Sequence, residues 1–288
     1  MHATRHLLPG GRWHWQHGPI DLIVVAEGES QAVHAAHDAA WSRFEVLLQE
    51  LVHELPQLRS SVLEQCPVRG VVARRMWLAC HPYRQGFITP MAAVAGAVAQ
   101  ELIGLYQRPG ITRAWVNNGG DIALHLAAGQ SVRVGLVADI TRVDARHMAL
   151  DGEFTIEAPM SVRGIATSGW RGRSFSLGIA DSVTVLAATA AMADAAATVI
   201  ANAVNVDDTC IQRRPASAIK DDCDLGDLEV TVQVPTLRRE RVAAALQRGQ
   251  RCAETLRVCG LIEAAVLICQ EQGLTVAQPL LPAMRMAA

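Results

Sequence analysis

Residues 182–206 read SVTVLAATAAMADAAATVIANAVNV, and this stretch decides the fold class. It is the longest apolar stretch in the chain and carries a single charge, Asp194. Its opening, Ser182–Leu186, is rich in β-branched residues, whereas 190–205 is rich in alanine. β-Branched side chains favour strands and alanine favours helices. The stretch therefore reads as a buried strand leading into a buried helix. A membrane span, which needs about 20 apolar residues in one helix, is the poorer reading.

Strands alternate with long helices on both sides of this stretch. Residues 12–26 suggest two short strands around the turn His17-Gly18-Pro19. Ser30 is predicted to cap a helix from Gln31 to Glu54, with Val33, Ala36, Ala40, Phe44, Leu47, Leu48 and Leu51 at helical spacing. Residues 55–72 contain Pro56 and Pro67 and read as irregular, and Val71–Leu78 suits either a strand or a short helix. Thr89-Pro90 opens a second helix that ends near Pro109-Gly110. Residues 113–126 read as strand, tight turn and strand, and Val132–Val137 and Phe154–Glu157 are further strands. An acidic loop, DDCDLGD at 221–227, precedes a strand at Leu228–Val234, a helix at Pro235–Val258 and a strand at Ala264–Cys269. This pattern is mixed, and we expect an α+β protein.

Met91-Ala-Ala-Val-Ala-Gly-Ala-Val is echoed by Met192-Ala-Asp-Ala-Ala-Ala-Thr-Val, 101 residues later. Both segments are rich in small residues, which permit close backbone approach. The expected organisation is one domain over residues 1–288, built by internal duplication, with the halves meeting near 125–160.

Composition excludes several classes. Half of the 288 residues are hydrophobic and 19% are charged, enough apolar material for a large core and too much for a disordered chain. A net charge of -2 gives no footprint for nucleic acid, and 4% aromatics leave little for a base-stacking platform. Lys220 is the only lysine, so no Gly-Lys-Ser/Thr phosphate loop exists. The seven cysteines are dispersed and form no C-x-x-C pair, which suits free thiols in a reducing cytoplasm. The first seventeen residues lack the apolar core of a signal peptide, so the expected location is cytoplasmic and no membrane partner is expected.

Three places can carry chemistry. Asp194 lies in the most apolar part of the chain, with Thr198 and Asn202 following at intervals of four on one helix face. A carboxylate in such surroundings needs a partner. A hard cation bound by Asp194 and the Thr198 hydroxyl is one answer; backbone amides or an arginine are another. Asn117-Asn118-Gly119-Gly120-Asp121 is the second place: paired glycines let a ligand approach the backbone, and they equally make a plain hairpin turn. The third is 164–181, GIATSGWRGRSFSLGIAD, where Thr167, Ser168, Ser174, Ser176, Arg171 and Arg173 offer hydroxyls and charge suited to phosphate. His34, His37 and Asp38 read as surface residues, His14 and His17 as structural ones, and the acidic loop as solvated.

Taken in order, GFITPMAAVAGAVAQ, VNNGGDIAL, IATSGWRGRSFSLGIADSVTVLA and MADAAATVIANAV resemble the uncharacterised ApbE-related family numbered 0280 in the UPF series. The resemblance runs from about residue 70 to 206. A more distant similarity is to the ApbE flavin transferases, which use magnesium to move FMN from FAD onto a threonine of a target protein. The resemblance implies an ApbE-like fold related to the T-fold, a tandem repeat of sheet plus long helices. It implies magnesium held by Asp194, the Ala197 carbonyl and Thr198, matching the flavin transferases' D-A-x-A-T helix. It also implies a flavin-nucleotide cleft at Gly119, Gly120 and Asp121, to which we add Asn118. Thr167, Ser168, Gly169, Arg173 and Ser174 complete the expected ligand-binding set.

The chain departs from the flavin transferases in two places. It has no lysine within 91–100, and Arg173-Ser174 stands where a histidine is expected. Its Thr167-Ser168-Gly169 is also one residue shorter than the T-S-S-G of the UPF relatives. Efficient FMN transfer is therefore not expected. The expected function is a magnesium-assisted site for a flavin, related nucleotide or heteroaromatic ligand. The alternatives are a non-catalytic protein that binds a flavin, pterin or purine-like ring, and an enzyme on a small heteroaromatic metabolite without flavin. The partner is a small molecule, and the composition permits a homodimer.

Overall fold

The computed structural model describes residues 2–136, 152–277 and 285–286. The chain divides into two compact units, each assembled from separated stretches. The first comprises Met1–Ser131, Glu157–Ala166 and Ala187–Ala195; the second comprises Val132–Ile156, Thr167–Leu186 and Ala196–Ala288.

The first unit opens with three strands, β1 (Thr4–Leu8), β2 (Arg12–His17) and β3 (Ile20–Gly28). Four helices follow: α1 (Ser30–His53), the short α2 (Leu55–Leu58), α3 (Val71–Cys80) and α4 (Val94–Ile103). Strands β4 (Ile111–Asn118) and β5 (Asp121–Leu126) complete an antiparallel meander in the order β1-β2-β3-β4-β5. Strand β8 (Gly164–Ser168) joins β5 through the pairs Ile122↔Ile165 and Ala123↔Gly164. Helix α4 lies on β4 and β5, while α1 packs on β3 and α4. Trp15, Leu22, Phe44, Leu47, Met76, Leu102 and Tyr106 are fully buried between these layers. Each such side chain contributes roughly 1.5–3 kcal/mol by leaving water.

In the second unit, β9 (Ser182–Ala187), β12 (Ala264–Cys269) and β13 (Gln272–Ala277) pair antiparallel, with β12 in the middle. Helix α6 (Arg239–Val258) covers β12 and β13. Strands β10 (Gln212–Pro215) and β11 (Glu229–Gln233) form a separate pair. Strands β6 (Ser131–Leu136), β7 (Gly152–Glu157) and β14 (Arg285–Met286) form a third sheet. Helix α5 (Ala190–Ala203) begins in the first unit, and its residues from Ala196 onward belong to the second. No helix among the described residues is long and apolar enough to cross a membrane.

Several expectations change. Ser30 does not cap α1: it is the helix's first residue, Glu29 takes the cap position, and the Ser30 carbonyl instead meets His34 Nδ1 at 2.7 Å. Val71–Cys80 is a helix, because Val72, Ala73, Met76, Trp77 and Cys80 bury themselves at helical spacing. Helix α6 starts at Arg239 and not at Pro235. The Gln270 side chain engages 235–237 ahead of the helix, donating to the Pro235 carbonyl at 2.6 Å and accepting from the Leu237 amide at 2.9 Å. His37 is 8% exposed and not a surface residue, since it follows Val33 and Ala36 on the inward stripe of α1; His34 and Asp38 are exposed as expected. Val137, the end of one expected strand, lies outside the described residues. Strands β1, β8, β10, β13 and β14 had no expectation behind them, and α2 lies where 55–72 is expected to be irregular.

Candidate functional site

The first unit brings three separate sequence segments to the start of α4. That helix begins after a single 3-10 turn, Pro90–Ala93, and no side chain of its own caps it. Its first amides therefore point outward without helical partners. The carboxylate of Asp194 on α5 supplies the acceptor: Oδ2 takes a hydrogen bond from the Gly96 amide at 2.9 Å, and the Ala95 amide also donates to this carboxylate. The approach depends on glycine. A Cβ on Gly96 would lie 2.3 Å from the Ala190 carbonyl oxygen and 2.9 Å from Asp194 Cβ. The amide of Ala191, in the first turn of α5, in turn donates to Gln100 Oε1 at 3.3 Å.

The β4–β5 turn reaches the same place. Asn118 and Asp121 are a cross-strand pair, leaving Gly119 and Gly120 as a two-residue loop with φ of 65° and 113°. Such left-handed values suit glycine and explain the Gly-Gly pair. The Asn117 side chain accepts from the Gly120 amide at 2.8 Å and so fastens the loop. Asn118 donates from Nδ2 to the Ala95 carbonyl at 3.2 Å, tying the hairpin to the end of α4 where Asp194 is seated. Asp121 is 9% exposed, and its charge is felt at Asp194.

The electrostatics follow from this crowding. Part of Asp194 still meets solvent, yet burial pushes its carboxyl well above the usual carboxylate range. The charge of Asp121 pushes it further, and the two amides oppose the shift. Cys80, at the end of α3, is fully buried; burial raises its thiol, and the Asp194 charge adds to the effect. Among the described residues, no group of three or more His, Cys, Asp or Glu side chains is arranged to hold a metal ion. A hard cation at Asp194 would thus rely on hydroxyl and carbonyl oxygens for its remaining ligands.

The other expected residues lie in the second unit. Ala197 and Thr198 follow Asp194 by three and four positions on α5; Ala197 is buried and Thr198 partly exposed. Thr167 Oγ1 meets Thr184 Oγ1 at 2.9 Å across the β8–β9 edge. Ser168 is partly exposed and Gly169 buried, whereas Arg173 and Ser174 are exposed. Asn202, aligned with Asp194 and Thr198 by helical spacing, holds the neighbouring segment. Its Oδ1 accepts from the Ser176 hydroxyl at 3.1 Å and from the Leu177 amide at 2.9 Å.

Four residues take part that the sequence does not single out. The Ala95 and Gly96 amides are backbone groups that leave no side-chain signature. Cys80 is one of seven dispersed cysteines, and nothing in its spacing marks it out. Asp181 closes a glycine-rich segment in which nothing singles it out by sequence, although it organises that segment. Its Oδ1 accepts from Trp170 Nε1 at 3.2 Å and from Arg171 Nε at 3.0 Å, and its Oδ2 accepts from the Gln270 amide at 2.6 Å.

Comparison with known proteins gives the family of the chain. The model of a family described as AbpE bacteria matches residues 5–276. A UPF0280 protein of Methanopyrus kandleri is 40% identical over 194 residues, which cover 65% of this chain and 72% of that protein. A UPF0280 protein of Methanospirillum hungatei is 38% identical over 128 residues, covering 44% of this chain; the match spans only 50% of that relative's length. Among solved structures, the ApbE protein of Thermotoga maritima superposes with a TM-score of 0.50 at 11% identity over 96% of both chains, which shows a shared mixed helix-and-sheet fold. The motifs that meet at the start of α4 thus sit within a match extending over nearly the whole chain, and the chain belongs to the ApbE-related UPF0280 family.

Proposed function

We propose that this protein holds magnesium and a flavin or related nucleotide, with the first unit supplying the metal's carboxylate and the ligand's glycine-lined seat. One observation carries the reading: Asp194, the Gly119–Gly120 turn with Asp121, and the start of α4 are linked directly, through Asp194 to Gly96 and Asn118 to Ala95. Three of the segments that resemble the family thereby meet at one place. The donor set suits the ion, because a carboxylate, a hydroxyl and a carbonyl are all hard oxygen ligands. Asp194 and Thr198 would hold it, with the Ala197 carbonyl as the third protein oxygen. When bound, magnesium neutralises charge on a pyrophosphate.

The remaining roles belong to the chain itself. Asn118, Gly119 and Gly120 would line the ring or ribose, the two glycines allowing close approach to the backbone. Asp121 would orient a ligand donor. In the second unit, Thr167, Ser168 and Ser174 would offer hydroxyls and Arg173 a guanidinium to phosphate, with Gly169 shaping the loop.

A second reading, ligand binding without group transfer, draws on a specific feature. Asp194 already has a structural task, accepting from the α4 amides, which it performs with or without a metal. The absence of lysine from 91–100 points the same way.

The test is mass spectrometry of the small molecule that co-purifies with the protein, together with calorimetric titration of FAD in the presence and absence of magnesium. We expect FAD to bind and magnesium to tighten it. No binding of FAD or FMN under either condition would remove the flavin reading, and a different co-purified ring would replace it with the heteroaromatic-metabolite alternative.

A further inference from the structure

Within the second unit, the segment after β8 is pinned at one point. Gly169 packs so closely on the chain at Asp181 that a Cβ there would lie 2.3 Å from the Asp181 carbonyl oxygen. The Trp170 amide donates to the Ala180 carbonyl at 3.0 Å, and the Asp181 amide donates to the Ile268 carbonyl at 3.0 Å. The Asp181 carboxylate then gathers three donors from two loops: Trp170 Nε1, Arg171 Nε and the Gln270 amide. Arg171 also stacks on the Trp170 ring, with its guanidinium carbon 4.8 Å from the ring centroid. Gln270 is itself fixed, in a left-handed turn with φ of 44° and with its side chain bonded to Pro235 and Leu237. A non-glycine residue in that conformation is uncommon and persists where its surroundings hold it.

The two arginines of this segment therefore differ. Arg171 is engaged by a carboxylate that is 14% exposed and by an indole face. Arg173, two residues on, is exposed and makes no ion pair among the described residues. An arginine held in an ion pair is a poor anion receptor, because its charge and its fork of donors are already committed. One presented from a rigid loop with its donors open is a good one, since less motion has to be frozen on binding.

We propose that Asp181 is a positioning residue that fixes the Gly169–Ser174 loop, so that Arg173 and not Arg171 meets a phosphate group of the nucleotide. This rests on the nucleotide reading above and adds which guanidinium reads the phosphate and what holds it in place. Arg171 serves as a strut, and Asp181 acts through the loop without touching the ligand.

The experiment is a double-mutant cycle on Asp181→Asn and Arg173→Gln, read as FAD affinity by calorimetry, with inorganic pyrophosphate as a second probe. Each single change is expected to weaken FAD binding on the order of tenfold, and the double change little more than either alone, because both remove one phosphate contact. Arg171→Gln should weaken binding less than Arg173→Gln. Trp170→Phe, which removes the indole N–H to Asp181 and shrinks the ring beneath Arg171, should give a partial loss and serves as the second variant if Asp181→Asn folds poorly. Tryptic cleavage after Arg171 and Arg173 should speed up in Asp181→Asn at temperatures where the melting curve is still flat. If Arg173→Gln costs the same factor in the wild-type and Asp181→Asn backgrounds, Asp181 is merely structural and the proposal is overturned. Failure of wild-type protein to bind either FAD or pyrophosphate is a different result, which removes the nucleotide reading itself and this proposal with it.

Discussion

The carboxylate of Asp194 accepts the Gly96 amide at 2.9 Å across 98 residues of sequence. The relationship answers how a charged residue lies in the most apolar stretch of the chain. A helix start presents amides that have no partner within the helix, and an anion placed there is favoured by those amides and by the helix dipole. The two helices can approach this closely because position 96 has no side chain.

Gly96→Ala should therefore be severe for so small a change. The added methyl would meet a backbone carbonyl at 2.3 Å, and neither atom is at the end of a flexible side chain. Overpacking of this kind costs roughly 1–3 kcal/mol or more. We expect the melting temperature to drop by several degrees, because each kcal/mol is worth about 2–4 °C in a chain of this size. An unchanged melting curve would mean that α4 and the start of α5 are not held as described.

Much of this was legible in the chain. β9 and α5 followed from β-branched and alanine-rich composition, and the β4–β5 hairpin followed from Asn117-Asn118-Gly119-Gly120-Asp121, because only glycine adopts both left-handed values without cost. β13 was missed because its turn, Gln270-Glu271, uses left-handed conformations in residues that seldom adopt them. β1 was missed because its side chains are mostly exposed and show no alternation. At the site, Asp194 and Asp121 could be named from sequence, since a lone charge among alanines and an acid after paired glycines both stand out. Their meeting could not, because it runs through the Gly96 amide and the Ala95 carbonyl, backbone groups that leave no mark in the sequence.

His37 gives a pH dependence. It is buried beneath Trp13 and Trp15, and its Nδ1 lies 2.8 Å from the Tyr106 hydroxyl. Burial foremost, with repulsion from His34 and Arg5, lowers its pKa from 6.5 to about 4, against a smaller opposing pull from Asp38. Between those values the unfolded chain binds the proton and the folded one does not. Stability is then full above the unfolded pKa and is lost as pH falls towards about 4, by a total on the order of 3 kcal/mol. Urea midpoints measured at neutral pH and near pH 4.5, for the wild type and for His37→Gln, check this. The wild type should lose more on acidification than the variant, and parallel losses would show that other groups carry the acid sensitivity.

The cysteines should divide by burial. Cys80 and Cys269 are fully buried, and burial, reinforced by the nearby Asp181 charge, pushes the Cys269 thiol up to about 12. Cys210 and Cys259 are exposed. Thiolate is the reactive form, so both accessibility and pKa protect the buried pair. In native protein, iodoacetamide followed by peptide mass mapping should modify Cys210 and Cys259 first and leave Cys80 and Cys269 intact. Denatured, unreduced protein should yield all seven thiols present in the sequence. Labelling of Cys80 at the rate of Cys210 would contradict the packing of α3 against α4.

Asp194→Asn separates the structural task of this residue from the proposed metal site. Asparagine keeps the shape and an oxygen for the Gly96 amide, so the seat on α4 survives. A charge-assisted hydrogen bond becomes a neutral one, at a cost of about 1 kcal/mol. Loss of the negative charge beside Asp121 offsets part of that cost. The expected change in melting temperature is small, about 2–4 °C or less. Magnesium binding should fall far more, by at least tenfold, because a charged oxygen ligand has been replaced by a neutral one. Calorimetry with magnesium in the presence of FAD, run beside melting curves, reads both effects. Thr198→Val is the companion variant: it leaves the Gly96 contact untouched and should weaken magnesium binding with little loss of stability. If both variants bind magnesium as the wild type does while Asp194→Asn alone melts earlier, Asp194 serves only as the acceptor for the α4 amides, and the metal must be removed from the proposed function.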